Sequence, residues 1–388
     1  MKNIKIAYTL SFLWRNWYWL GIWIFYYLRF TDYTGIGFLE TVMITTSTLG
    51  EIPTGAIADI VGKRKAVMLA FALGAIGNIA MAFAPNFMVL IASIMTMTLG
   101  GAFFSGSLEA LVYDTLKERK LENTFQGVIG KMNSMQNIGM AVAGIAGGYL
   151  YQVNVSLPFL MVAVAYTIGV FVSFNLTEPK IDSEKYSWKI FVSQNKEGFS
   201  QLFNSNKTMW AVLLFLIPSA FMVATENVIN DATVIELGYN SVGFGYFATF
   251  LYLLGTLVSV KSDWIISKLG STYTYVTLLS LYAVTLLLIP WSMIAVGTVL
   301  LLLRYGVQTI IDNYQSVKIN EIADSRYRAT TLSTFNLLRN IPYVFGATGI
   351  GLLMNLYTAK TFSLYFGLSF ILIVTFAWVM KKFFYTAD

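Results

Sequence analysis

Apolar runs of about 20 residues, separated by short turns, recur along almost the whole chain. Twelve can be counted, near residues 5–30, 36–58, 66–84, 87–115, 127–151, 157–176, 209–230, 242–260, 272–290, 293–317, 329–357 and 361–383. A mean hydropathy of +0.64 over 388 residues leaves too little polar surface for a soluble fold of that size. The runs are unbroken rather than alternating, which excludes an outer-membrane barrel. In lipid each backbone polar group needs a partner within its own segment, so the runs are predicted to be helices. The fold class is therefore all-α and integral to a membrane, with twelve segments.

The charged residues give an orientation. Twenty of the 26 lysines and arginines fall on one side if the segments alternate; only Arg29 and Lys360 fall on the other. The remaining four, Arg15, Lys131, Arg304 and Arg339, lie inside segments. This bias predicts both termini and the central linker on the cytoplasmic side. The net charge of +6 is thus a topology signal rather than a nucleic-acid patch. The first segment lacks a small-residue cleavage site and is expected to be retained. Residues 177–208 form a polar, lysine-bearing interval. The expected division is 1–180, a linker over 181–207, and 208–388. Within the linker, Trp188, Phe191, Val192, Phe199, Leu202 and Phe203 recur at helical spacing. It reads either as an amphipathic helix on the inner membrane surface or as a polar linker with scattered aromatics.

The two halves resemble each other internally. Moved back by 203 residues, Asp312 meets Glu109, Asn336 meets Asn133, Arg339-Asn340 meets Gln136-Asn137, and Gly351 meets Gly148. A shift of 211 brings Glu226-Asn227 onto Arg15-Asn16. Polar residues are rare in these segments, so their coincidence carries weight. Paired six-helix halves point to a transporter with its site near the midplane.

The chain has no cysteine and no histidine, which removes thiol chemistry, Cys/His metal sites and the usual proton carrier at pH 7. No HExxH and no phosphate-cradling loop is present, so an intramembrane enzyme or an ATP-driven pump on this chain alone is not expected. No metal and no cofactor is expected; the driving force would be an ion gradient, most simply protons.

The turn between segments 2 and 3 reads GAIADIVGKRK. Twelve segments in two halves, with Gly55, Asp59, Gly62, Lys63, Arg64 and Lys65 in this turn, resemble the major facilitator superfamily. The resemblance covers the chain in architecture and this loop in motif. It implies that the loop latches the two halves when the inner gate is shut, with Asp59 near the start of segment 11, where a helix dipole favours a carboxylate by ~0.3–1 kcal/mol. Gly55 permits close helix approach and Gly62 a tight turn. Asp114 is the expected partner of Arg64. The equivalent loop in the second half reads SKLGS, with Ser267 in place of the acid. Two patterns of the family's drug antiporters are degraded. Thr96 stands where an arginine would fall in segment 4, and segment 5 carries AGIAGG, with Gly144 in place of proline.

Ionisable groups inside a membrane are costly and usually functional. Segment 1 offers Arg15 and Asn16 with Tyr18 and Trp19 one turn on. Segment 7 offers Glu226 and Asn227. Segment 10 carries Arg304, Gln308 and Asp312 at one-turn spacing, and segment 4 carries Glu109. Asn137 on segment 5 and Asn336, Arg339 and Asn340 on segment 11 complete the candidate cavity. Glu109, Glu226 and Asp312 are the candidate proton carriers, because a carboxylate can neutralise and an arginine cannot. Each of them could instead be paired with an arginine. The expected function is proton-coupled export of a small organic or amphipathic compound by a monomer in the bacterial plasma membrane. The alternative is uptake of an anionic or zwitterionic nutrient by symport or uniport. A receptor or assembly subunit that keeps the fold without transporting would be expected to lose the latch and the cavity residues, which this sequence keeps.

Overall fold

The computed structural model describes residues 1–179, 188–269, 271–324 and 328–385. The linker residues 180–187 and the side chains of Trp188, Phe191 and Asp59 lie outside what is described.

The helices are α1 (Lys2–Trp14), α2 (Trp23–Tyr27), α3 (Tyr33–Val61), α4 (Lys63–Ala82), α5 (Phe87–Phe104), α6 (Ser107–Lys117), α7 (Phe125–Val153) and α8 (Leu157–Ser173). They continue with α9 (Trp188–Leu202), α10 (Asn206–Ala224), α11 (Asn230–Glu236), α12 (Ser241–Leu269), α13 (Ser271–Leu288), α14 (Ile294–Ile322), α15 (Arg328–Leu356) and α16 (Ala359–Tyr385). Among the described residues, eight helices are long and apolar enough to cross a membrane. The 29-residue helices α3 and α7 carry more polar side chains, and α8 is shorter at 17 residues.

Three of the predicted segments are not regular helices. Segment 1 divides into α1 and α2, with Arg15 to Ile22 between them. Segment 4 divides into α5 and α6 at Ser105-Gly106, where Gly106 takes a φ of 77° that suits glycine. In segment 7 a π turn over Thr225–Ile229 joins α10 to α11.

By contact, the chain groups into two compact units. Unit 1 holds Met1–Thr31, Leu39–Trp188 and Asn240–Tyr252; unit 2 holds Asp32–Phe38, Lys189–Tyr239 and Leu253–Asp388. The linker helix α9 packs in unit 2, where Leu202 joins Val212, Ile319 and Phe335 in one buried cluster.

In unit 1, α4 and α8 interlock through glycines. A Cβ on Gly74 would meet the Tyr166 ring at 2.4 Å, and one on Gly169 the Phe71 ring at 2.3 Å. Each ring fills the gap its partner helix leaves, so the backbones approach closely. Leu10, Val67, Phe71, Leu111, Val112 and Val162 continue this core. Unit 2 centres on Met222, Tyr282, Leu286, Val307, Ile311 and Phe370, contributed by α10, α13, α14 and α16.

Candidate functional site

In unit 1 the polar cluster begins with a helix that its own side chain interrupts. In a regular helix the Asn16 N–H would donate to Phe12 O; here the Asn16 side chain takes that carbonyl at 2.8 Å, and the backbone N–H turns to Leu13 O. A side-chain bond to the i−4 carbonyl competes with the backbone ladder and bends or breaks a helix. The freed chain is held by aromatics. Trp14 stacks on Phe104 at 4.0 Å and on Tyr166 at 5.0 Å. The Tyr166 hydroxyl donates to Trp14 O and accepts from Trp17 Nε1. Trp17 also stacks on Trp19 at 4.9 Å. The Arg15 guanidinium lies 4.2 Å from the Trp17 ring centre, and its Nε donates to Gln136 on α7. The α7 glycines make room for this stretch: a Cβ on Gly139 would lie 2.5 Å from Phe12 O, and one on Gly147 1.8 Å from Tyr18 O.

Unit 2 repeats the device. Asn227 donates its side-chain amide to Val223 O at 2.7 Å, again the i−4 carbonyl, and the helix widens into the π turn. Such turns are frequent at functional sites. Around it Thr225 accepts from Gln308 at 2.7 Å and bonds with the Tyr282 hydroxyl at 3.1 Å. Pro218 lies one helical stretch earlier, where its missing N–H weakens the ladder. Glu226, on the π turn, reaches the surface of unit 2 from a crowded position, within electrostatic range of Asp312 and Arg339. Arg339 on α15 pairs with Asp312 on α14 at 2.9 Å.

The candidate residues therefore separate into distinct environments. Arg304 is fully buried, so it is an internal strut rather than the cavity residue expected. Its nitrogens donate to Asn230 Oδ1 at 2.7 Å, Thr285 Oγ1 at 3.1 Å and the Thr285 carbonyl at 3.0 Å. Gln308 is also buried and braces the π turn through Thr225 and Met222 O, which removes it from the expected cavity wall. Tyr18, Trp19, Asn227, Arg339 and Asn340 are half-buried, while Asn137 and Asn336 are exposed. Glu109 is exposed in the first turn of α6, and among the described residues it forms no ion pair. Trp17, Tyr166, Thr225 and Thr285 also belong to these clusters, without a sequence pattern that marks them. Glu40 is buried in α3 within electrostatic range of Tyr27.

The basic loop folds within unit 1. Gly62 has φ 96°, and the chain turns there from α3 into α4. The first N–H groups of α4 need acceptors, and the Glu178 carboxylate supplies them at 2.7 Å to Lys63 and 2.8 Å to Arg64. Asp114 is paired with Lys63, not with Arg64 as expected; Arg64 instead donates to Phe174 O at 2.8 Å. The turn at Gly62 aims the first lysine, rather than the arginine, at α6. Gly55 lies half-buried within α3. Gly62→Ala is expected to cost about 1–3 kcal/mol, because φ 96° with ψ 148° is a backbone region essentially reserved for glycine. That Cβ would also lie 3.1 Å from the Glu178 carboxylate. Thermal unfolding in detergent checks it; an unchanged midpoint would refute the role given to this turn.

Comparison with known proteins agrees with this construction. The Major Facilitator Superfamily pattern matches residues 6–347. The chain is 21% identical over 371 residues to the quinolone resistance protein NorA of Staphylococcus aureus strain MSSA476, covering 84% of this chain and 89% of that one. It is 24% identical over 237 residues to the MFS-type transporter YxaM of Bacillus subtilis strain 168, covering 58% of this chain. That match spans 56% of YxaM's length. Among solved structures it resembles the nucleoside transporter NupG, with a TM-score of 0.80, 16% identity and 98% of each chain covered. It also resembles a POT family transporter crystallised with 5-aminolevulinic acid, with a TM-score of 0.75 and 15% identity over 98% of this chain and 96% of that one. With its repeated halves, its basic loop and this match, the chain belongs to the Major Facilitator Superfamily and is a multi-pass membrane transporter, not an enzyme.

Proposed function

We propose that this transporter exports a small organic, amphipathic compound in exchange for protons. The observation that carries the reading is the charge count around the π turn. Glu226 and Asp312 share one arginine, Arg339. With both acids ionised the group carries one negative charge; with one protonated it is neutral. A cluster with two protonation states separated by one charge is what proton coupling requires. The π turn adds a place where the helix can change register. NorA, named for quinolone resistance, supports a drug-like substrate and the outward direction.

In this reading the halves 1–180 and 208–388 alternate access as in other transporters with repeated halves. The basic loop with Asp59 acts as latch, and the protein works as a monomer in the bacterial plasma membrane with both termini inside. Proton flux in proteoliposomes tests the central claim. A pH gradient is imposed and a panel of organic anions, zwitterions and amphipathic cations is added. A compound that drives protons opposite to its own movement is the expected result. Substrate and protons moving together would replace export with symport; substrate moving without protons would leave a uniporter.

A further inference from the structure

Three arginines, Arg15, Arg304 and Arg339, lie inside the apolar segments, and the fold treats them differently. Arg304 is sealed, its three nitrogens donating to neutral oxygens. Arg339 is neutralised by Asp312. Arg15 is neither. It is half-buried, and its Nε is fixed by Gln136 at 3.2 Å. Among the described residues no acceptor bonds to its two terminal nitrogens and no carboxylate pairs with it. Among the described residues, the ionisable groups that act most on its charge are the phenols of Tyr252 and Tyr166.

A guanidinium inside a membrane protein without a counter-ion is expensive, and it persists where something else brings the charge. Its geometry states what that would be. The Trp17 ring supports one face at 4.2 Å and Gln136 holds the inner edge, so the outer edge presents parallel N–H groups in a fixed plane. That fork matches the two oxygens of a carboxylate or the edge of a phosphate. Beside it lie half-buried indoles, Trp14 at the end of α1 and Trp17 and Trp19 on the stretch that is not helical. Flat apolar groups pack well on such surfaces.

We propose that Arg15 is an oxyanion fork, and that the transported compounds carry a carboxylate, or a chemically equivalent oxyanion, on a flat apolar body. This deepens the export reading by naming its substrate class, and rests on it for the sense of transport.

The test uses the full-length protein in phosphatidylcholine nanodiscs and three matched probes: 4-nitrobenzoate, its methyl ester, and 4-nitrobenzylammonium. Calorimetry gives the affinities, and quenching of tryptophan fluorescence by the nitro group reports proximity to the indoles. The acid is expected to bind at least about tenfold more tightly than the ester or the amine, the scale of a charge-assisted pair. Arg15→Lys keeps the charge and loses the fork; it should weaken the acid about tenfold and leave the ester unchanged. Ester or amine binding as tightly as the acid in the unmodified protein would overturn the proposal, whatever the variant's folding. So would full acid affinity in Arg15→Lys. The two readings fail separately. Proton counterflow driven by the amine and unaffected by Arg15→Lys would preserve export and discard the oxyanion fork. Acid binding lost in Arg15→Lys, without proton counterflow for any probe, would preserve the fork and discard proton-coupled export.

Discussion

Glu226→Gln is expected to abolish proton-driven transport while leaving downhill exchange of substrate in place. The amide keeps the size of the side chain on the π turn, so the helix and its Asn227 back-bond should persist. What disappears is the second charge state. Asp312 alone then neutralises Arg339, and the group of three has no step at which to take up a proton. The loss in coupled flux should be about 100-fold, the lower end of what a positioned proton carrier contributes. Asp312→Asn should differ in kind. Glu226, already in range of Arg339, is then left to oppose it without the Asp312 charge. Coupling falls, and substrate affinity shifts because an ion pair between α14 and α15 is broken. Glu109→Gln should stay within about twofold of the parent, since Glu109 is exposed on the first turn of α6 and contributes to no ion pair among the described residues. Proton flux in proteoliposomes under a fixed pH gradient reads all three. Coupled flux retained in Glu226→Gln would remove Glu226 from the mechanism.

Much of this architecture is written in the sequence, and the repeat shows both how far that goes and where it stops. Aligning Arg15-Asn16 with Glu226-Asn227 identified two equivalent places. It did not reveal that both are breaks. The physical cause is the asparagine of each pair, which takes the carbonyl four residues back in both helices, at 2.8 and 2.7 Å. A polar pair inside an apolar run signals site chemistry and, equally, a break in the helix. Burial was not legible either. Arg304 and Arg15 look alike in sequence, yet one meets Thr285 and Asn230 from other helices while the other, among the described residues, bonds to Gln136 and rests on an indole. Trp17 is local to Arg15, but Thr285, Asn230 and Gln136 lie 19, 74 and 121 residues from their arginines, and no local spacing announces them. The same holds for Tyr166, which ties Trp14 and Trp17 from α8. In the loop, composition marked a charged turn, but the choice of Lys63 over Arg64 for Asp114 depends on the φ of Gly62.

The unwound stretch of segment 1 makes a demand on its neighbour, and Gly147→Ala should expose it. In α7 the Cβ of residue 147 would stand 1.8 Å from the carbonyl oxygen of Tyr18, a backbone atom that cannot rotate away. Either α7 retreats or the loop moves, and overpacking of this kind costs about 1–3 kcal/mol. The loop is the softer element. Tyr18 is therefore expected to shift, and with it Trp17 and the guanidinium resting on its ring. Gly147→Ala should lower the unfolding temperature in detergent and weaken 4-nitrobenzoate binding together. Two other glycines separate this from a general effect of adding a methyl group. Gly351, the repeat partner of Gly148, faces Tyr33 O at 2.0 Å, so Gly351→Ala should also destabilise unit 2 but spare the probe. Gly349, two residues earlier in the same helix, has nothing within 4 Å of its would-be Cβ. Gly349→Ala should be neutral or stabilise by roughly 0.5–1 kcal/mol, the helix preference of alanine over glycine. If Gly147→Ala unfolds and binds like the parent, close packing at Gly147 does not hold the break in segment 1, and the plane of Arg15 is fixed by Trp17 and Gln136 without it.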